Sequence, residues 1–339
     1  KLIEEDPEIQ IVVETMGGLN PAYPFVKACL MAGKHVVTSN KALVAAHGTE
    51  LLAIARKKKV NFFFEASVGG GIPIIRPLYH CLMGERIEEI TGILNGTTNY
   101  ILTKMDKEGD TFENALREAQ NLGYAERNPE ADVEGYDTCR KIAILTAMAA
   151  GKEVDYQDIY TEGITKISAK DVAYAKEFGS VIKLLGVAHN REDGIEVAVY
   201  PMMLPKNHPL ASVRDSFNAV FVHGDALDDA MFYGRGAGEL PTASAVMGDV
   251  IDIIRDIRFS CTGRISCTCY KNTPVKSSDD VKNKFFVRMQ VTNKPGVLAR
   301  IASMFGEHKV SISKVIQKVI TDGVAELVIV TEAVKEYHM

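Results

Sequence analysis

No run of apolar residues in this 339-residue chain approaches the roughly 20 needed to span a bilayer. The longest, residues 142–150, reads as a buried helix. The opening residues do not read as a secretory signal. Positive charge is not in excess either. Lys and Arg number 39 against 44 Asp and Glu, a net charge of −5, which argues against a nucleic-acid binder but leaves room for small anionic ligands. The six cysteines include no CxxC pair. Cys261, Cys267 and Cys269 crowd together without a fourth ligand at zinc spacing, so they read as reduced thiols of a cytoplasmic protein. Also missing is the strand, G-x-G-x-x-G, helix element that opens a dinucleotide-binding domain. Nothing of that kind precedes residue 9, and Gly69-Gly70-Gly71 lacks the spacing. The chain begins on Lys1 with a polar helix end and a buried-type strand. It reads as a piece of a longer one, without the first half of a dinucleotide fold.

What is present has the balance of a globular protein, 46% apolar and 24% charged, with length for two or three domains. Residues 9–14, 35–38 and 61–65 are short apolar runs, predicted to be strands. Helical stretches separate them at about 20–31, with Asn20 as cap and Pro21 in the first turn, and at about 43–58. Strand, helix, strand, helix, strand is one half of a doubly wound parallel sheet. From residue 74 the pattern is mixed. Strands are expected over 86–94, entering a turn at Asn95-Gly96, over 195–203 and over 219–224. Helices are expected over 112–122, 136–150 and 241–257. From residue 283 the order is β-α-β-β, the opening of a ferredoxin-like module, with a closing helix and strand still to be expected.

The densest polar cluster runs from Gly123 to Lys141. Asp137 and Lys141 are four apart and share one helical face. Such a pair can be a solvated ion pair worth a few tenths of a kcal/mol. Here the helix is otherwise apolar, and the loop before it adds Glu126 and Asp132. Read from the residues alone, Glu65 with the glycines behind it is a strand-ending turn, Gly234-Arg235-Gly236-Ala237-Gly238 is a plain loop, and Thr97 is a turn hydroxyl.

The spaced residues Ala119, Gly123, Tyr124, Glu126, Asp132, Gly135, Asp137 and Lys141 resemble the pattern of the homoserine dehydrogenase family. So do Glu14-Thr15-Met16-Gly17-Gly18, Thr38-Ser39-Asn40-Lys41-Ala42, the stretch from Glu65 to Ile75, Gly92 to Tyr100, and Tyr233 to Thr242. The agreement covers residues 1–260. The remainder resembles an ACT regulatory domain.

The resemblance implies an α/β protein. Residues 1–73 would be the second half of a Rossmann-type, doubly wound dinucleotide domain, to which 234–258 return. Residues 74–233 would be an α+β catalytic and dimerisation domain, 259–282 a linker, and 283–339 a partial ferredoxin-like ACT domain. The implied reaction is the reversible oxidation of homoserine to aspartate semialdehyde with NAD or NADP. Lys141 matches the proton-transfer residue, with Asp137 holding its ammonium. Glu126 and Asp132, with Tyr124 and Thr97, would bind the amino-acid substrate. Lys41 would contact nicotinamide or substrate, or act as a second proton-transfer group. Thr15, Met16, Ser39, Asn40, Gly123, Gly236 and Gly238 would line the cofactor. A monovalent cation, Na+, would be held by Glu65 and the carbonyls of Val68, Gly70 and Ile72. The turn Asn293-Lys294-Pro295-Gly296 is a plain helix entry or, by the resemblance, a threonine effector site, and the chain would form a homodimer without nucleic-acid or membrane partners.

Two rival readings remain at this point. Without the phosphate-binding turn, the chain could be an inactive oligomeric or amino-acid-sensing fragment. It could also be a dehydrogenase for another acid, although a substrate lacking an amine would want an Arg clamp where Glu126 and Asp132 stand.

Overall fold

A computed structural model describes residues 2–263, 274–321 and 323–339. They fall into two units, residues 1–275 and 276–339.

The first unit opens with a one-turn helix α1 (Leu2–Glu5), followed by strand β1 (Ile11–Glu14), helix α2 (Ala22–Met31), strand β2 (His35–Thr38), helix α3 (Lys41–Lys58) and strand β3 (Phe62–Phe63). The strands form a parallel sheet in the order β1-β2-β3. β2 is buried along its whole length, as a central parallel strand covered on both faces must be. Asn40 caps α3, accepting from Leu43 N at 3.1 Å, and the helix ends on Lys59 in the left-handed region. Asn20 does not cap α2. The helix starts at Ala22 with Pro21 in the cap position, so the Asn side chain stands one residue too early to reach the first free amides.

A second sheet follows. Its first strand, β4 (Ile87–Ile93), runs into helix α4 (Gly96–Glu108), then α5 (Phe112–Asn121), the short α6 (Glu130–Val133) and α7 (Tyr136–Ala150). Next come β5 (Tyr160–Thr161), α8 (Ala169–Glu177), β6 (Ser180–Arg191), β7 (Gly194–Pro205), β8 (Phe217–Gly224) and β9 (Asp228–Arg235). The six strands are ordered β5-β7-β6-β4-β8-β9, antiparallel except for β5 with β7. Helices α4, α7 and α8 pack on one face. On the other, Ile93, Leu185, Val187, Ala219 and Phe221 meet Leu210 and Val213 from the β7–β8 connection.

The Asn95-Gly96 dipeptide is no turn. Asn95 Oδ1 accepts from Thr98 N at 2.9 Å and caps a 13-residue helix that Gly109 ends in the left-handed region. The 234–238 segment is a loop only past Arg235, because β9 carries Tyr233, Gly234 and Arg235 into the sheet opposite β8. Helix α9 (Glu239–Arg258) then returns to the first sheet, packing Ala245, Val246 and Ile253 against Val37, Phe63 and Ala66. Asn61 Nδ2 donates to Asp256 Oδ2 at 2.8 Å, and Glu65 N to Asp249 Oδ2 at 2.9 Å, tying β3 and the turn after it to α9.

The second unit contains β10 (Lys282–Asn283), β11 (Phe286–Thr292), α10 (Val297–Glu307), β12 (Ile312–Thr321), β13 (Val324–Thr331) and β14 (Val334–Lys335). Its antiparallel sheet has the order β11-β13-β12, with Ala325, Leu327, Val328 and Ile329 of the central strand buried. β10 and β14 form a separate ribbon, and a single 3-10 turn, Glu336–His338, stands where a closing helix was expected. The division between the units falls inside the stretch expected to be a linker. Cys261 Sγ lies 3.5 Å from Asp256 Oδ1, while Cys267 and Cys269 are outside the described residues.

Helix α8 carries a complete capping box. Ser168 Oγ accepts from Asp171 N at 3.4 Å, and Asp171 Oδ2 accepts from Ser168 N at 2.9 Å. Ser168→Ala is expected to cost about 1 kcal/mol. In thermal unfolding that appears as a melting point lower by about 2–4 °C, with turnover unchanged.

Candidate active site

One carboxylate organises the site. Asp137, in the first turn of α7, is buried, and its two oxygens face two different lysines. Lys141 Nζ lies 2.7 Å from Oδ2, one helical turn on, and Lys41 Nζ lies 2.5 Å from Oδ1. Lys41 is the first residue of α3, a helix packed on α7, so helix packing brings it across a sequence gap that no local pattern spans. Lys141 also donates to Leu94 O at 2.7 Å, at the end of β4. Two of the three N–H bonds of its ammonium are thereby directed, and a third remains.

Asn95 extends the cluster. Its Nδ2 donates to Asp137 Oδ2 at 2.9 Å and to Asp132 Oδ1 at 2.7 Å, while its Oδ1 caps α4. Thr97 Oγ1 donates to Tyr124 O at 2.6 Å and lies 3.2 Å from Asp132 Oδ2. Its hydroxyl therefore bonds a neighbouring loop and a carboxylate, not its own turn. Neither Asn95 nor Leu94 was among the residues expected from sequence. An Asn between a strand and a Gly-Thr-Thr start has the form of a helix cap, and that was the available signal.

The electrostatics follow from burial. Burial by itself would raise the Asp137 pKa, but the charges of Lys141 and Lys41 hold it well below the usual carboxylate range. Burial lowers the pKa of Lys141. Asp137 opposes that shift, Lys41 adds repulsion, and the net value lies below an ordinary lysine. Asp132 is pushed up by burial and by the charge of Asp137, against the bonds from Asn95 and Thr97.

The other expected residues are distributed around this centre. Glu126 is exposed in the loop after α5, and Tyr124 is exposed with its ring centroid 5.1 Å from that of Tyr100. Gly123 holds a φ of +76° in open space. Thr15 and Met16 are exposed at the carboxyl end of β1. Ser39, Asn40 and Lys41 stand at the carboxyl end of β2, where open α/β sheets take ligands. Glu14, which sequence did not single out, shapes that end. Its buried carboxylate accepts from Met16 N at 2.7 Å and from Thr38 Oγ1 at 2.6 Å. Asn40 has structural work, since Nδ2 donates to Gly18 O at 2.6 Å.

Glu65 is buried and its carboxylate is fully engaged. It accepts from Ile74 N at 2.7 Å, Ile75 N at 2.9 Å, Arg76 N at 2.7 Å and Arg76 Nε at 3.2 Å. Gly70 lies against Gly236: a Cβ there would stand 2.6 Å from Gly236 O. Gly238 begins α9 with a φ of +117°.

With this geometry in view, the family models decide the affiliation. The one described as "Homoserine dehydrogenase" matches residues 73–251, and "Homoserine dehydrogenase, NAD binding domain" matches residues 1–65. The chain belongs to the homoserine dehydrogenase family. An ACT domain model matches residues 285–336. The chain is 46% identical to homoserine dehydrogenase of Synechocystis, over 98% of this chain and 79% of that protein. It is 42% identical to the Bacillus subtilis enzyme, over 98% and 77%. The crystal structure of a homoserine dehydrogenase from Thiobacillus denitrificans superposes with a TM-score of 0.94 at 41% identity, covering 99% of this chain and 78% of that one. A hyperthermophilic archaeal homoserine dehydrogenase mutant in complex with NADPH superposes with a TM-score of 0.66 at 30% identity, covering 75% and 74%. The chain is thus an oxidoreductase of a nicotinamide-dependent family. No helix among the described residues is long and apolar enough to cross a membrane.

Asp137→Asn would leave Lys41 and Lys141 facing each other without their shared counter-charge. Steady-state kinetics should show kcat lower by about two to four powers of ten in both directions.

Proposed function

We propose that Lys141 is the proton-transfer group in the reversible interconversion of L-homoserine and L-aspartate 4-semialdehyde. The observation that carries this is the Lys141 ammonium: buried, fixed by Asp137 and Leu94 O, and left with one N–H to give. In the reducing direction that N–H protonates the alkoxide oxygen formed as the aldehyde carbon accepts hydride. In the oxidising direction the neutral amine takes the hydroxyl proton. Asp137 keeps the amine in place and stabilises its charged form. Lys41, on the other oxygen of Asp137, stands at the face where substrate and nicotinamide meet. Asp132 and Glu126 take the substrate ammonium, since a carboxylate accepts several charge-assisted hydrogen bonds. Thr97 and Tyr124 border the same pocket.

NAD or NADP supplies the hydride acceptor or donor. Thr15, Met16, Ser39, Asn40 and Lys41 would hold it, with Gly123, Gly236 and Gly238 allowing close backbone approach. The turn after β1 suits that use: Gly17 and Gly18 hold positive φ with open space where a Cβ would stand. A Na+ ion would rest on the carbonyls of Glu65, Val68, Gly70 and Ile72, hard oxygens suited to such an ion. In the second unit, Asn293, Lys294, Pro295 and Gly296 line a cavity with Gln317 and Leu327, the proposed seat of a threonine effector. The enzyme acts in the cytoplasm as a homodimer built through the six-stranded sheet.

NADPH oxidation by aspartate semialdehyde tests the assignment. Lys141→Ala should lower kcat by about two to four powers of ten and leave the KM for the nucleotide unchanged. Near-normal turnover would make Lys141 a bystander. The sign of the pH dependence is also fixed. Reduction needs the charged lysine and oxidation the neutral one. As pH rises through the lowered Lys141 pKa, the rate of reduction falls and that of oxidation climbs. Both limbs should appear below the 10.5 of an ordinary lysine and vanish together in Lys141→Ala.

A further inference from the structure

We propose that Lys183 is a positioning residue for the substrate side of the reaction, acting through Asn99 on the first turn of α4. The proposal deepens the reading above and rests on it.

Lys183 lies in β6, buried, and reaches neither Asp137 nor Lys141. Its Nζ donates to Asn99 Oδ1 at 2.8 Å and to Val213 O at 2.5 Å, both uncharged oxygens. Asn99, also buried, passes the connection on: its Nδ2 donates to Phe217 O at 3.0 Å. One turn along α4, Thr103 Oγ1 donates to Asn99 O at 2.7 Å and accepts from Asp215 N at 3.1 Å. Residues 213–217 are thus fastened to one side of α4. The fastening presses the helix start against the segment, since a Cβ on Gly96 would stand 2.9 Å from Ser216 O. That start carries Asn95 and Thr97, whose side chains hold Asp132 and Asp137.

The charges facing Lys183 are Asp106 and Lys107 of α4 and Arg214 and Asp215 of the connecting segment. They roughly cancel, so burial lowers its pKa to about 8. A methionine would fill the same space without burying a charge. What the lysine adds is two directed bonds. Losing the proton does not break them, because the neutral amine keeps two N–H groups for two acceptors. The tie should therefore hold on both sides of pH 8.

The test uses Lys183→Met and Asn99→Leu in the whole enzyme. In both, the KM for homoserine should rise about tenfold at pH 7 and at pH 9, with the nucleotide KM within about twofold of wild type. The double variant should be no worse than the more impaired single one, because the two side chains share one path. Amide hydrogen exchange at Thr97 to Asn99 should quicken in each variant, a readout independent of turnover. Should Lys183→Met fail to fold, Asn99→Leu carries the same measurements. A lower melting point with homoserine KM and α4 exchange unmoved would reduce Lys183 to a packing residue and overturn the proposal. So would an equal rise in both KM values. Wild-type enzyme inert toward homoserine, with α4 exchange responding as stated, would instead count against the assigned reaction.

Discussion

Two ammonium groups share one buried carboxylate, and the packing around the candidate site depends on that arrangement. Lys141 alone would be costly to hold in the core, and so would the buried carboxylate alone, while Lys41 reaches it from a half-exposed position. Asp132, joined to Asp137 through Asn95, adds a second carboxylate beside the two ammonium groups. Asp137 is placed by α7, Lys41 by α3, and Leu94 O and Asn95 by the junction of β4 with α4. Three elements from two sheets therefore converge on one side chain. The contact between α3 and α7 thus sets the geometry of the candidate site as well as the core.

Around that centre the structure repeatedly spends polar side chains on holding backbone. Glu14 fixes the turn after β1, Glu65 the chain entering residues 74–76, Asn40 the start of α3 and Asn95 the start of α4. Each is buried, and each satisfies amides or hydroxyls that would otherwise lack partners in the interior. The candidate site sits among these ties, which fix the backbone that carries its residues.

Much of this was legible in sequence. The apolar run of β2 could be little else than a buried strand, and the i,i+4 spacing of Asp137 and Lys141 placed them on one face of α7. The start of α4 misled. Asn-Gly is a hairpin dipeptide, and Gly-Thr-Thr-Asn shows no apolar period, because Asn99 and Thr103 are buried as hydrogen-bonding groups and not as apolar ones. β6 was hidden in the same way by a lysine in its interior, and β9 by an Asp-Asp start and a penultimate glycine. Lys41 could be marked as a candidate but not as the partner of Asp137. Glu65, read from its residue type as a solvated group in a strand-ending turn, instead buries its carboxylate on amides nine to eleven residues ahead.

The return of α9 has a consequence for synthesis. The bond from Asn61 to Asp256 closes a span of 195 residues, and Val37 and Phe63 are covered only when α9 arrives. A nascent chain emerging from the ribosome can begin to assemble the six-stranded sheet from its own neighbouring hairpins. The three parallel strands made before it must wait, one face bare, until residue 258 is out. Contacts this distant form late and slowly. The parallel layer, translated before the six-stranded sheet, is finished after it, and until then its uncovered strands are the surface most in need of a chaperone.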